Sequence, residues 1–127
     1  MYCMNITCGT DIIEIERIKE SIENIGEKFL KRVFTDKEIE YCESKKVQKY
    51  QHYAGRFAAK EAAFKAISKI LKDKYSVCWK DFEVINNEQG RPYLTLYNVD
   101  TTKIESIDVS ISHCKLYATA NVTVLFK

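Results

Sequence analysis

Two carboxylates, a lysine and a histidine are the residues of this chain best suited to chemistry. Asp11 closes Gly9-Thr10-Asp11, Glu61 and Lys65 lie four residues apart, and His113 ends Ser110-Ile111-Ser112-His113. Mg²⁺ takes one or two carboxylates, keeps several waters and completes its shell with phosphate oxygens. A lysine and a histidine nearby suit the same oxygens as charged donors. The four would form a metal–phosphate site if the fold gathered them, which separation along the chain cannot show. Each also has a structural alternative. Asp11 starts D-x-x-E with Glu14, an N-cap pattern. Glu61 and Lys65 match an ordinary helix-surface pair, contributing about 0.2–0.5 kcal/mol. His113 lies on the apolar parity of its strand, where a lone histidine is more often a satisfied, half-buried ring than a catalyst. Ser110 and Ser112, on the other parity, read as sheet hydroxyls. No Cys–His pair or Ser–His–Asp order is evident, and one histidine with scattered acids is not a zinc site.

Glu61 and Lys65 sit in Gly55–Ile70, an alanine-rich stretch with no interior glycine or proline, which predicts a helix. Ala59, Ala63, Ala66 and Ile70 form one apolar stripe. Glu61, Lys65 and Ser68 lie opposite, but Phe57, Ala58 and Phe64 flank them. The helix is therefore apolar over most of its circumference and should be covered by other elements. Charges held among rings must be compensated or used.

The remaining elements follow from period and punctuation. Residues 2–10 read as a strand. Ile15, Ile18, Ile22 and Ile25 mark an amphipathic helix that Gly26 ends. Phe29–Phe34 reads as a helical turn, and Thr35-Asp-Lys-Glu38 as a capping box opening a helix to about Ser44. The central helix starts between Gln48 and Tyr53 and extends toward Leu71. Phe82–Ile85 and Pro92–Tyr97 flank Asn86–Gly90 as a hairpin. Ile107–His113 alternates, with Ile107, Val109, Ile111 and His113 on one face, and Tyr117–Phe126 is the last strand. One strand, several helices and then antiparallel hairpins predict an α+β fold with helices packed on an antiparallel sheet.

The 127 residues suit one domain with a real core. A net charge of +2 makes no case for a general nucleic-acid binder. The longest apolar runs are too short to span a membrane. Five cysteines without a C-x-x-C pair, and no secretory leader, read as free thiols in a reducing cytoplasm.

The motifs then combine. Gly9-Thr-Asp11 with Ile-Ile-Glu-Ile-Glu-Arg17, Arg56-Phe-Ala-Ala-Lys60-Glu61-Ala with Lys65, Gly90-Arg91-Pro92, Ser110-Ile-Ser112-His113 and Tyr117-Ala118, in this order, resemble the bacterial holo-acyl-carrier-protein synthases. These are the short class of 4′-phosphopantetheinyl transferases, and the resemblance covers essentially the whole chain. It implies a 4′-phosphopantetheinyl transferase-like fold as a single unit over residues 1–127. It implies transfer of the phosphopantetheine arm of coenzyme A to a serine of apo acyl carrier protein, leaving adenosine 3′,5′-bisphosphate. By resemblance, Asp11 and Glu61 match Mg²⁺ ligands, and Lys65 and His113 match positions near the pyrophosphate. Glu61, Lys65 and His113 are thus the catalytic candidates. Arg56 falls in the basic block, Gly90-Arg91-Pro92 matches the turn lining the nucleotide, and Ser112 adjoins His113 in the substrate site. Arg17 matches a position facing the acidic carrier protein, and Lys28, Lys31 and Arg32 fit that docking surface. The short class also implies a homotrimer with coenzyme A in clefts between subunits, and Tyr2, Tyr117 and an apolar outer parity of the last strand would leave surface to cover.

The chain departs from the pattern at three places. Thr10 stands where an aliphatic residue is usual, and Arg91 where Lys is common, though the two differ in geometry. The stretch Ile67–Tyr75 has no glycine where the family often has a Gly-rich turn approaching coenzyme A. Lys69, Lys72 or Lys74 are candidates to supply charge there instead. Two other functions stay open on the residues: a Mg²⁺-dependent coenzyme A phosphohydrolase, which needs no carrier protein, and a non-catalytic partner-binding module.

Overall fold

A computed structural model describes residues 5–127. Tyr2, Cys3 and the start of the expected first strand lie outside the described residues. Strand β1 (Asn5–Glu14) leads into helices α1 (Ile15–Ile25), α2 (Glu27–Val33), α3 (Asp36–Glu43) and α4 (Lys49–Ile67). The hairpin β2 (Phe82–Asn86) and β3 (Pro92–Leu96) follows, and β4 (Ile104–His113) and β5 (Tyr117–Phe126) close the chain. The strands form two antiparallel sheets rather than one, a three-stranded sheet in the order β1-β5-β4 and the separate β2–β3 pair.

Helix α4 is central because its alanines allow close approach. Ala58, Ala59, Ala62, Ala63 and Ala66 are all buried, as is the face of β5 carrying Ala118, Ala120, Val122, Val124 and Phe126. A second cluster packs Ile15, Ile18 and Ile22 of α1 with Val33, Phe34, Cys42 and Tyr53. The predicted α1 seam holds at Ile15, Ile18 and Ile22 but not at Ile25, which is exposed at the helix end, and the α4 stripe holds at Ala59, Ala63 and Ala66, with Ile70 beyond the end of the helix at Ile67. Gly9 sets the distance between β1 and α4: a Cβ there would collide with the Ala62 carbonyl oxygen. Gly55 plays the same part toward β4, where a Cβ would lie 2.8 Å from Ile111 Cγ2.

Three expectations about boundaries and faces change. Strand β1 runs to Glu14, so Asp11 lies inside a strand, and Glu14 precedes α1 without a side-chain cap. The N-cap reading of Asp11 therefore falls. Pairing with β5 over the full length, Asn5 with Phe126 through Glu14 with Tyr117, overrides the local helix-start signal. His113 is exposed rather than half-buried, because β4 is the outer strand of its sheet. Beyond Tyr117 the outer parity of β5 is polar at Thr119, Asn121 and Thr123, and on this sheet Ile6 and Ile12 of β1 are exposed apolar side chains, as is Leu116 in the turn before β5. The capping box at α3 forms as expected: Glu38 N–H donates to Thr35 Oγ1, and Thr35 N–H donates to Glu38 Oε1. Cys8, Cys42, Cys78 and Cys114 are free thiols. Among the described residues no helix is long and apolar enough to cross a membrane.

Candidate active site

Strand parity and helix packing bring Asp11, Glu61 and Lys65 together. Gly9, Asp11 and Ile13 share the face of β1 turned to α4, where the missing Cβ of Gly9 lets the two backbones meet. Lys65 Nζ donates to Asp11 Oδ1 at 3.2 Å and to the Thr10 carbonyl at 2.9 Å. Lys65 is thus not an i,i+4 partner serving Glu61 alone; it spans from α4 to β1. Glu61 is half-buried, and burial is the main reason its carboxyl is held above the usual carboxylate range. The Asp11 carboxylate pushes it further up, while a hydrogen bond with the Trp79 side chain and the charge of Lys65 pull it down.

Beneath this group lies a buried ion pair that short-range patterns do not show. Lys60 and Glu38 are both fully buried, with Nζ 2.7 Å from Glu38 Oε1. Lys60 also donates to the carbonyls of Phe82 (2.6 Å) and Trp79 (3.1 Å), and Glu38 Oε2 accepts the Val84 N–H at 2.8 Å. The pair is therefore fully hydrogen-bonded, the condition under which a buried charge pair is tolerated. It ties α3, α4, β2 and the turn carrying Trp79 into one frame, which is what presents Trp79 to Glu61. Burial lowers the Lys60 pKa, and Glu38 opposes that shift.

A cavity of about 350 Å³ opens beside Glu61, with Phe64, Val77, Trp79 and Phe82 on its walls and Arg32 and Lys74 among its lining residues. Arg17 and Lys28 are exposed on α1 and α2, and Lys31 pairs with Asp36 at 3.3 Å on the surface.

The other expected site residues form a second group. Arg56 lies five positions before Glu61, which turns it about 140° around the helix. It is buried, donates to Asn86 Oδ1, and stacks its guanidinium 4.0 Å from the Tyr41 ring centroid, while its Nε has no partner. Asn86 Nδ2 in turn donates to the Gly90 carbonyl at 2.8 Å, linking Arg56 to the Gly90-Arg91-Pro92 turn. Gly90 has φ +84°, a conformation that favours glycine. Arg91 Nη2 donates to both carboxylate oxygens of Asp108, at 2.7 and 2.8 Å. His113 meets His52 across 5.9 Å between ring centroids, and His52 meets Tyr41 across 5.6 Å. Burial, then the Arg56 charge, lowers His52 to about 4, so it is neutral near pH 7. Ser112 is exposed beside His113.

The fold therefore gathers three of the four chemical candidates and leaves His113 apart. Asp11 is opposite Ala120 and His113 is opposite Ala118, on either side of β5, so their strands are separated by about 10 Å. Sequence reasoning missed His52, Asn86, Trp79 and the Lys60–Glu38 pair as parts of these groups. Trp79, the single tryptophan of the chain, carried the one available signal.

The acidic group fits a hard divalent cation: two carboxylates close enough for one to raise the other, beside an apolar-walled cavity. Among the described residues no set of three His, Cys, Asp or Glu side chains is gathered to hold a metal. A cation here would need water and phosphate oxygens to complete its shell, as Mg²⁺ ordinarily does.

Comparison with known proteins identifies the family and the fold. Residues 7–122 match the model of the 4′-phosphopantetheinyl transferase superfamily. The chain is 46% identical over 122 residues to the holo-(acyl-carrier-protein) synthase of Ruminiclostridium cellulolyticum, covering 92% of this chain and 90% of that one. It superposes on the Bacillus anthracis synthase in complex with CoA (3′,5′-ADP) with a TM-score of 0.81 at 33% identity, covering 98% of this chain and 100% of the other. For the Helicobacter pylori synthase in complex with coenzyme A the TM-score is 0.79 at 32% identity, with 92% and 98% covered. The chain belongs to the 4′-phosphopantetheinyl transferase superfamily, among its holo-(acyl-carrier-protein) synthases.

Proposed function

We propose that this chain transfers the 4′-phosphopantetheine group of coenzyme A to a serine of apo acyl carrier protein in the cytoplasm, releasing adenosine 3′,5′-bisphosphate. The observation that carries the reading is the joining of Asp11, Glu61 and Lys65 beside a cavity sized for part of a small anionic substrate. Asp11 and Glu61 would hold Mg²⁺. When bound, that ion supplies positive charge to the pyrophosphate oxygens. Lys65 offers an ammonium donor beside the two carboxylates, able to serve a phosphoryl oxygen or protonate the leaving phosphate. The carrier serine gives its proton to Glu61 or to a water near the carboxylates. The raised Glu61 pKa suits a base, because the group accepts a proton more readily than an ordinary glutamate.

Arg56, Gly90, Arg91, Pro92, Ser112 and His113 are assigned to the nucleotide end of coenzyme A, with His113 as the second catalytic donor. Because they lie on the far side of α4 and β5 from Asp11, the assignment requires a second copy of the chain to bring them to the carboxylates. A homotrimer with inter-subunit clefts meets that requirement, and the exposed Ile6, Ile12 and Leu116 supply apolar surface for it. Arg17 and Lys28, with Arg32 next to the cavity, are assigned to the acidic carrier protein.

The test is the intact mass of an apo carrier protein after incubation with the chain, coenzyme A and Mg²⁺, with an EDTA control. A metal-dependent gain of one phosphopantetheine arm is expected. Consumption of coenzyme A with no gain on the carrier would indicate the phosphohydrolase, and intact coenzyme A with several carriers would indicate the binding module.

A further inference from the structure

The glycine-free stretch after α4 is where this chain departs most from its family pattern, and the structure shows what replaces the glycines. Asp73 organises the turn: its carboxylate accepts the Tyr75 N–H at 3.0 Å, and its carbonyl accepts the Ser76 N–H at 3.0 Å and the Ser76 hydroxyl at 2.6 Å. An aspartate can close a turn through its own side chain, so no glycine is needed for the backbone to reverse. No residue of this stretch has positive φ. The turn places Lys74 on the lining of the 350 Å³ cavity that also holds Glu61.

Three of the cations in this part of the fold line the cavity, Arg32, Lys60 and Lys74, and two more, Lys65 and Lys69, lie on the same stretch of chain. Lys60 is wholly occupied by Glu38 and two carbonyls. Lys65 is held by Asp11 and the Thr10 carbonyl. Lys69 has turned away to lie 4.1 Å from the Phe126 ring centroid. Lys74 and Arg32 remain: both line the cavity, and among the described residues neither has a carboxylate within ion-pair distance. Their charge is thus available to an anion from outside. The cavity is concave and too small for a helix of another protein, whereas a phosphate group bearing a flexible arm can enter it.

We propose that Lys74 and Arg32 are substrate-positioning residues that bind a phosphate of the coenzyme at the mouth of this cavity, Lys74 supplying as a side-chain cation what a glycine-rich turn would supply as backbone N–H groups. The proposal rests on the transferase reading of the same site. It moves Arg32 from the carrier-docking surface to the coenzyme, leaving Arg17 and Lys28 to the carrier.

The experiment titrates coenzyme A into the wild-type chain with Mg²⁺ by calorimetry and repeats it with Lys74→Ala, Arg32→Ala, Lys74→Arg and Lys28→Ala. The KM values for coenzyme A and for apo carrier protein are measured in parallel. Losing one charge-assisted phosphate contact should weaken coenzyme A binding about tenfold in Lys74→Ala and in Arg32→Ala. The KM for coenzyme A should rise in both, Lys74→Ala should keep the wild-type carrier KM, Lys74→Arg should bind nearly as wild type, and Lys28→Ala should change the carrier KM alone. All three side chains are exposed, so the four variants should melt with the wild type. The proposal is overturned if Lys74→Ala and Arg32→Ala bind coenzyme A normally, or if they raise only the carrier KM. Failure of the wild type to modify any carrier would refute the transferase reading instead, and the calorimetric comparison would still decide the role of Lys74.

Discussion

The acidic group on β1 and α4 and the basic group around Arg56 are built in opposite ways. Asp11, Glu61 and Lys65 balance two negative charges against one positive within a single chain, and the Lys60–Glu38 frame below holds them. Around Arg56 the inward-facing charge is positive and is held by neutral groups, Asn86 and the Tyr41 ring, with the Arg56 Nε left unpartnered. Arg91 alone has a full carboxylate partner in Asp108. An acidic half-site that would gain from a cation and a basic half-site that would gain from an anion are complementary toward one polyphosphate substrate. They face apart within one chain. Two close approaches hold α4 between these groups: Gly9 of β1 lets that strand meet the Ala62 backbone, and Gly55 of α4 lets the helix meet Ile111 of β4.

The sharpest way to break the comparison is to remove one half. Glu61→Gln and Asp11→Asn should each lower the rate of holo-carrier formation ~10²-fold or more, on the scale of losing a catalytic carboxylate. The melting temperature should change little, since both side chains are partly solvent-exposed. Normal turnover in both variants would show that the acidic half is not the reacting one.

Mixing tests whether the halves meet across copies. Glu61→Gln chains and His113→Ala chains, each impaired alone, should regain activity when denatured and refolded together, because some clefts then join an intact Glu61 to an intact His113. Mixtures no more active than the separate variants would place the whole reaction within one chain.

The frame under the acidic half should be sensitive to removal of one partner. Lys60→Met leaves Glu38 charged and buried, and should cost about 3–5 kcal/mol by denaturant unfolding. A loss under 1 kcal/mol would mean that water reaches Glu38. Gly9→Ala, which forces β1 away from α4, should cost about 1–3 kcal/mol and weaken Mg²⁺ binding by moving Asp11 from Glu61. Unchanged Mg²⁺ affinity in a folded Gly9→Ala chain would separate the packing from the site.

The smallest effect is in pH dependence. The Glu61 pKa is raised, so without metal the folded chain holds a proton that the unfolded chain has already lost. Its contribution to stability therefore falls as pH rises from the ordinary glutamate range through the Glu61 value. Mg²⁺ affinity should rise over the same interval, because binding needs the ionised group. Asp11→Asn should lower the Glu61 pKa toward the ordinary range, whereas loss of the Lys65 charge should raise it. An acid limb that stays in place in Asp11→Asn would show that the two carboxylates do not interact.

Local pattern by itself determined most elements and their inward faces. The isoleucine spacing of α1, the capping box of α3, the alanines of α4 and the alternation of β5 all express repeats of 3.6 or 2 residues that burial imposes at short range. The motif set also identified Asp11, Glu61 and Lys65. Tertiary structure decided what those residues touch. Full-length pairing with β5 turned Asp11 from a possible helix cap into a strand residue facing α4. The outer position of β4 exposed His113 and set it against His52 rather than Glu61. Lys60 reads in sequence like any lysine of a helix, and only the convergence of α3, β2 and the Trp79 turn makes it a buried charge with three partners. Such contacts join residues about 20 to 110 positions apart, where no short-range period can register them, and they depend on the sheet order and helix rotation that the whole chain adopts.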